Sequence, residues 1–282
     1  MSRPIGQRRR HLARWILATL VLVHLAALSV YHLRERQSQL LGMYVDARDQ
    51  WRDGHLDVAA REYATFLAER PSATWPFALY KNFPDEASAW FVLGRVETDR
   101  GRVDAALAAF EQAMRLDANR GRREYRDLLL RSGRGAALIA FANAEARADP
   151  ASPVAAKNLG AGLLATDQPA AAVAAYEHAL QLLPAWRARV DRAAPAGLSS
   201  EEADILNLLS VAARLAGDAA RADAACARAG SRQAGALRLD RLCAAYRENA
   251  AGDRAAAVHT LAAYAPPAPE HEALAAAIAP PL

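Results

Sequence analysis

Cysteine is nearly missing from this chain, with two residues in 282. That is too few for a disulfide-stapled framework. Lysine occurs only at positions 81 and 157, against 33 arginines. Aromatic residues make up 7% and isoleucine is sparse, so the residues that favour strands are scarce. The signatures of catalysis are missing as well. There is no G-x-S-x-G, no P-loop and no C-x-x-C-H, and the seven histidines are scattered. Gly160-Ala-Gly162-Leu-Leu-Ala165 has the spacing of a dinucleotide fingerprint but lacks the strand it requires. His271-Glu272 is half of a zinc-protease motif without its second histidine. No nucleophile, base and oxyanion hole assemble, so we expect neither an enzyme nor a bound cofactor or metal.

What is present is alanine, 71 residues or a quarter of the chain. Alanine is the best helix former, and the expected fold class is all-α. The net charge of +4 does not describe a basic protein. Arg3, Arg8, Arg9, Arg10 and Arg14 precede any acid, and everything after residue 14 sums to −1. A basic domain wrapping nucleic acid is therefore excluded as the reading.

Behind that basic tail (residues 1–14) comes one apolar run, Trp15 to Leu33, without Asp, Glu, Lys or Arg. Nineteen helical residues span roughly 28 Å, close to the hydrocarbon thickness of a bilayer. We read it as an uncleaved single-pass anchor followed by a linker at 34–39. The rival is a cleaved signal with a weak site at Ala27-x-Ser29. Basic residues before the span place the N-terminus in the cytoplasm and the body outside, in the periplasm of a bacterial inner membrane. His24 sits mid-span, either as a functional ionisable group or as a neutral residue tolerated there.

Beyond residue 39 the chain is self-similar. Small residues pair at a spacing of twelve: Ala47/Ala59, Gly94/Ala106, Gly160/Ala172, Ser210/Ala222 and Ala245/Ala257. Four residues after each second member comes Tyr63, Phe110, Tyr176, Cys226 or Leu261. Two small residues let paired helices approach, and the larger one fills the space against the next pair. The clearest unit, Trp90-Phe-Val-Leu93-Gly94 with Gly101, Ala106 and Phe110, resembles the tetratricopeptide repeat. The resemblance covers residues 40–269, with units near 40–73, 87–120, 119–152, 153–186, 203–236 and 238–269. The unit at 119–152 is degenerate, with Arg126 and Leu138 where small residues belong. Insertions fall at 74–86 and 187–202, the latter read as a polar spacer loop that ends in a helix start at Ser199/Ser200-Glu-Glu. Residues 270–282 are read as a capping helix and tail.

The resemblance implies an α-solenoid of about six helix-turn-helix units whose first helices line a partner-binding groove. Its groove positions correspond here to Phe91, Arg95, Arg123, Asp127, Arg131, Lys157, Asn207, Arg214 and Tyr246. Some family members clamp a terminal carboxylate with such side chains, whereas a solvated arginine-rich face is the plainer reading. The insertion carrying Trp75, Phe77, Tyr80 and Phe83 between two prolines is either a binding loop or a plug. Cys226 and Cys243 are either a disulfide joining neighbouring helices or two buried hydrophobes. The expected function is a membrane-anchored periplasmic scaffold or chaperone-like adaptor for other envelope proteins. By resemblance, its settings are cytochrome maturation, secretion or polysaccharide assembly. A cytoplasm-facing assembly or quality-control adaptor, and a glycan-binding accessory subunit of a polysaccharide or glycosylation system, are the alternatives.

Overall fold

The computed structural model describes residues 5–69, 84–190, 198–231, 245, 248–249 and 251–262. All regular structure among them is helical. The helices are α1 (Ile5–Arg52), α2 (Leu56–Glu69), α3 (Glu86–Asp99), α4 (Val103–Leu116), α5 (Arg122–Arg131), α6 (Gly135–Ala148), α7 (Pro153–Ala165), α8 (Pro169–Val190), α9 (Leu198–Leu215), α10 (Ala219–Ser231) and α11 (Arg254–Ala262). They fall into two compact units, Met1–Arg122 and Arg123–Leu282.

Six helix-to-helix turns share one construction. Each has a single left-handed residue: Gly54, Gly101, Gly133, Asp167, Gly217 and Gly252, at φ between +56° and +87°. The amide after it bonds back across the turn in every case, from His55 to Gln50 O, Arg102 to Glu97 O, Arg134 to Leu129 O, Gln168 to Leu163 O, Asp218 to Ala213 O and Asp253 to Glu248 O. This is the Schellman closure, which satisfies carbonyls that the ending helix leaves open. Five residues after each turn residue comes a side chain with no exposure: Ala59, Ala106, Leu138, Ala172, Ala222 and Ala257. The turn thus fixes the phase in which the second helix meets the first. Asp167 is the one non-glycine left-handed residue among those described. It is exposed, so Asp167→Gly should raise stability by about 0.5–1 kcal/mol by relieving the left-handed strain, read as a higher urea midpoint.

Close approach follows the small residues. In unit 1, Ala47 and Ala59 are fully buried with Tyr63, and Trp90 is half-buried against the same cluster. A Cβ placed on Gly94 would lie 2.6 Å from Phe110 Cδ1. In unit 2, a Cβ on Gly160 would lie 2.6 Å from Tyr176 Cε1. Ala172, Ser210, Ala222, Ala245 and Ala257 there have zero exposure. In both units the ring sixteen residues on packs against bare glycine backbone, which no side chain would permit.

The degenerate pair α5–α6 solves the same problem differently. Arg126 turns its guanidinium to Asp127 (Nε–Oδ1 2.9 Å), and Tyr125 packs on Phe141 with ring centroids 5.1 Å apart.

Two boundaries differ from the sequence reading. Residues 34–39, read as a linker, are helical, because α1 runs 48 residues without interruption. The spacer loop read at 187–202 is partly helix. α8 passes through Pro184 to Val190, and α9 starts at Leu198. Ion pairs hold this extension. Arg187 reaches Glu202 at 3.2 Å and Arg189 reaches Asp149 at 3.3 Å. These offset the one backbone hydrogen bond that Pro184 cannot make. The aromatic insertion (Trp75, Phe77, Tyr80, Phe83), Tyr246, Cys243 and the capping segment 270–282 lie outside the described residues.

Candidate partner-binding site

In unit 1 the first helices of two successive pairs, α1 and α3, meet along one face. Arg95 is exposed, and its guanidinium lies 4.8 Å from the centroid of the Trp51 ring. The Trp51 Nε1 donates to Asp99 Oδ2 at 2.7 Å. That bond fixes the indole in the plane on which the guanidinium stacks, a cation–π contact worth about 0.5–1 kcal/mol at such a site. Arg95 forms no ion pair among the described residues, so its hydrogen-bonding fork is available to a carboxylate. Phe91 lies half-buried beside it, 6.0 Å from Phe110. Two turns back on α1 is Tyr44, whose phenol pKa is raised by burial and then by Asp85, against the opposing pull of Arg48 and Arg120. Tyr44 and Trp51 on α1 and Phe91 on α3 are thus partly buried aromatics, with Arg48 and Arg95 exposed on the same two helices.

The sequence reading placed Phe91 and Arg95 here but missed Tyr44, Arg48 and Trp51. The signal was available. Shifting by the 47 residues that relate Ala47 to Gly94 maps Tyr44 onto Phe91 and Arg48 onto Arg95.

Unit 2 treats its candidates differently. Lys157 is 7% exposed, clamped by Glu201 at 2.8 Å and Asp204 at 2.9 Å. Asn207 is fully buried and donates to Ala203 O of its own helix. Arg214 pairs with Asp223. Arg123 is exposed and 3.7 Å from Asp127, and Arg131 is exposed at the end of α5. Lys157, Asn207 and Arg214 are thus committed to contacts within the protein.

Burial alone would lower the Lys157 pKa, but Asp204 and Glu201 outweigh it and hold it above its usual 10.5. A raised amine pKa contributes stability that is complete below the ordinary value and lost as pH rises through the folded one. Wild type should therefore weaken between pH 8 and pH 11 more than Lys157→Met does, as read from urea midpoints of both at the two pH values.

Among the described residues no group of three or more His, Cys, Asp or Glu could hold a metal ion. Cys226 is 7% exposed and disulfide-bonded. The chain has one other cysteine, Cys243.

Comparison with known families matches residues 87–120 to the tetratricopeptide repeat. Curated protein sequences give no match. Among solved structures, the chain is similar to MamA (41-end) from Desulfovibrio magneticus RS-1, at 16% identity and a TM-score of 0.46, covering 69% of this chain and 94% of that one. It is also similar to BtubC (BKLC) from P. vanneervenii, at 19% identity and a TM-score of 0.46, covering 79% and 91%. A tetratricopeptide repeat protein from Parabacteroides merdae ATCC 43184 aligns at 11% identity and a TM-score of 0.39, covering 78% and 90%. Residues 87–120 thus match one tetratricopeptide repeat, and the same Schellman turn recurs through the other described helical pairs.

Proposed function

We propose that this chain is a membrane-anchored scaffold whose repeats face the periplasm and hold a segment of another envelope protein. The observation that carries the reading is α1. Its residues 15–33 are apolar and, but for the partly covered Leu33, exposed. The helix is long enough to cross a membrane and holds an 18-residue stretch apolar enough to do so, with a mean hydropathy of 2.0. Its two aliphatic hydroxyls donate inside the helix, Thr19 to Trp15 O and Ser29 to Leu25 O, as hydrocarbon requires. Five arginines ahead of the span favour a cytoplasmic N-terminus. A disulfide-bonded Cys226 suits an oxidising compartment.

The partner lies on the α1–α3 face of unit 1, setting a carboxylate on Arg95 and apolar side chains along Trp51 and Phe91. A reporter active only in the periplasm, fused after residue 282, should be active; an inactive but well-expressed fusion would overturn the topology. Arg95→Glu combined with Trp51→Ala should weaken partner capture at least tenfold, about 1.4 kcal/mol or more. Arg123→Glu, on the second unit, should leave capture unchanged.

A further inference from the structure

The uninterrupted α1 has a geometric consequence at the membrane. Leu33 ends the apolar run, and Leu40, 1% exposed, is already buried with Phe66 of α2 and Ala89. They are seven positions apart on the helix, about 10 Å. No flexible joint intervenes, since residues 34–39 carry neither Gly nor Pro. α2 returns alongside α1 from the Gly54 turn, so its C-terminal end points back toward the span. A pocket of about 360 Å³ lies there, lined by His32, Glu35, Arg36, Met43 and Glu69 among others. His32 belongs to the last turn of the span and Glu69 to the last turn of α2. The base of the first repeat therefore reaches the depth at which the hydrocarbon ends. The polar layer beyond that depth is roughly 5–8 Å thick on each side, and the membrane-side lining of the pocket, His32, Glu35 and Arg36, falls within it.

The lining carries both signs of charge. Arg36 is the one cation with a permanent charge, and Glu35 and Glu69 are acids, all three exposed. The C-terminal end of the α2 dipole adds negative potential on the Glu69 side. Met43 and the edge of Leu40 give an apolar wall. We propose that this pocket seats the headgroup of a zwitterionic phospholipid bearing a primary amine, so that the first repeat stands directly on the bilayer. The phosphate pairs with Arg36, and the ammonium lies between Glu35 and Glu69. An anionic headgroup without an amine would bring its charge against two carboxylates. A quaternary ammonium could not donate hydrogen bonds to them. This inference rests on the reading of residues 15–33 as a membrane span.

The test reconstitutes the full chain in vesicles of phosphatidylethanolamine, phosphatidylglycerol and phosphatidylcholine in equal parts. Lipid retained per chain after mild detergent extraction is measured by mass spectrometry. Phosphatidylethanolamine should be retained several-fold over the other two. Arg36→Ala and Glu69→Gln should each cut that excess at least fivefold. Both residues are exposed, so helical content by circular dichroism should not change. Equal retention of the three lipids, or retention that ignores both variants, overturns the proposal. Depth-dependent quenching of fluorescent probes at Leu20 and Glu69 distinguishes the span from the seated repeat. A Leu20 probe outside the hydrocarbon defeats the span itself. A Leu20 probe within it and a Glu69 probe well above the headgroups defeats only the seated repeat.

Discussion

Phe110→Ala should destabilise the first unit by about 3–5 kcal/mol, the range for deleting a buried aromatic side chain. Phe110 is 1% exposed. It lies over Gly94, with Phe91 6.0 Å away and Gly121 close on the same ring. Removing it empties the space that two glycines were placed to create. The same contact read from the other side gives a second sign. Gly94→Ala would normally gain helix propensity, about 1 kcal/mol. Here the new methyl meets the Phe110 ring at 2.6 Å, and overpacking of this kind costs about 1–3 kcal/mol. Gly42→Ala is the control, because nothing lies within 4 Å of its added Cβ, and it should stabilise. Phe110→Leu in the Gly94→Ala background should recover part of the loss. Urea unfolding of these four variants and of Phe110→Leu alone, which closes a double-mutant cycle between positions 94 and 110, checks the set.

Glu202→Ala should have the largest effect of any charged substitution, about 2–3 kcal/mol. Its side chain is 7% exposed and joins three helices. It accepts from Arg187 on α8 at 3.2 Å and from Arg228 on α10 at 2.8 Å. Breaking a buried ion pair costs about 3–5 kcal/mol when the partner is left unpaired and buried. Arg228 is half-exposed and water can take it back, so the expected cost is the lower figure. Arg187, at 25% exposure, recovers less. Thermal unfolding followed by circular dichroism should show a lower midpoint for Glu202→Ala, with Glu202→Gln in between because it keeps an acceptor. An unchanged midpoint for Glu202→Ala would mean that α8, α9 and α10 are held by apolar packing alone.

The repeat was legible because its determinants are local and periodic. A left-handed glycine, an alanine five residues later and a ring four after that lie within ten residues, as in Gly101, Ala106 and Phe110. Helix packing then follows from the fixed turn. The degenerate pair was harder to read, since Arg126 and Leu138 replace small residues and the compensating contact, Tyr125 on Phe141, obeys a different spacing. The state of Lys157 could not be read from its neighbours. The two carboxylates that clamp it sit on α9, 44 and 47 residues away, and only the packing of α7 against α9 brings them together. The stacking of Arg95 on Trp51 likewise joins two helices 44 residues apart in the chain. The continuity of α1 could have been foreseen, because residues 5–52 contain no proline and glycine only at 6 and 42. The apolar span and the first repeat simply drew attention as separate features.

The proposed partner lies on the α1–α3 face of a chain held at the membrane. Photo-cross-linking in intact cells tests it most directly, with the photoreactive residue placed at position 95 or, as a control, at exposed Arg115 on α4. A discrete protein adduct from position 95 in the membrane fraction, absent from position 115 and lost in the Trp51→Ala background, is the predicted result. Equal adducts from both positions, or an adduct from 115 alone, would contradict the account.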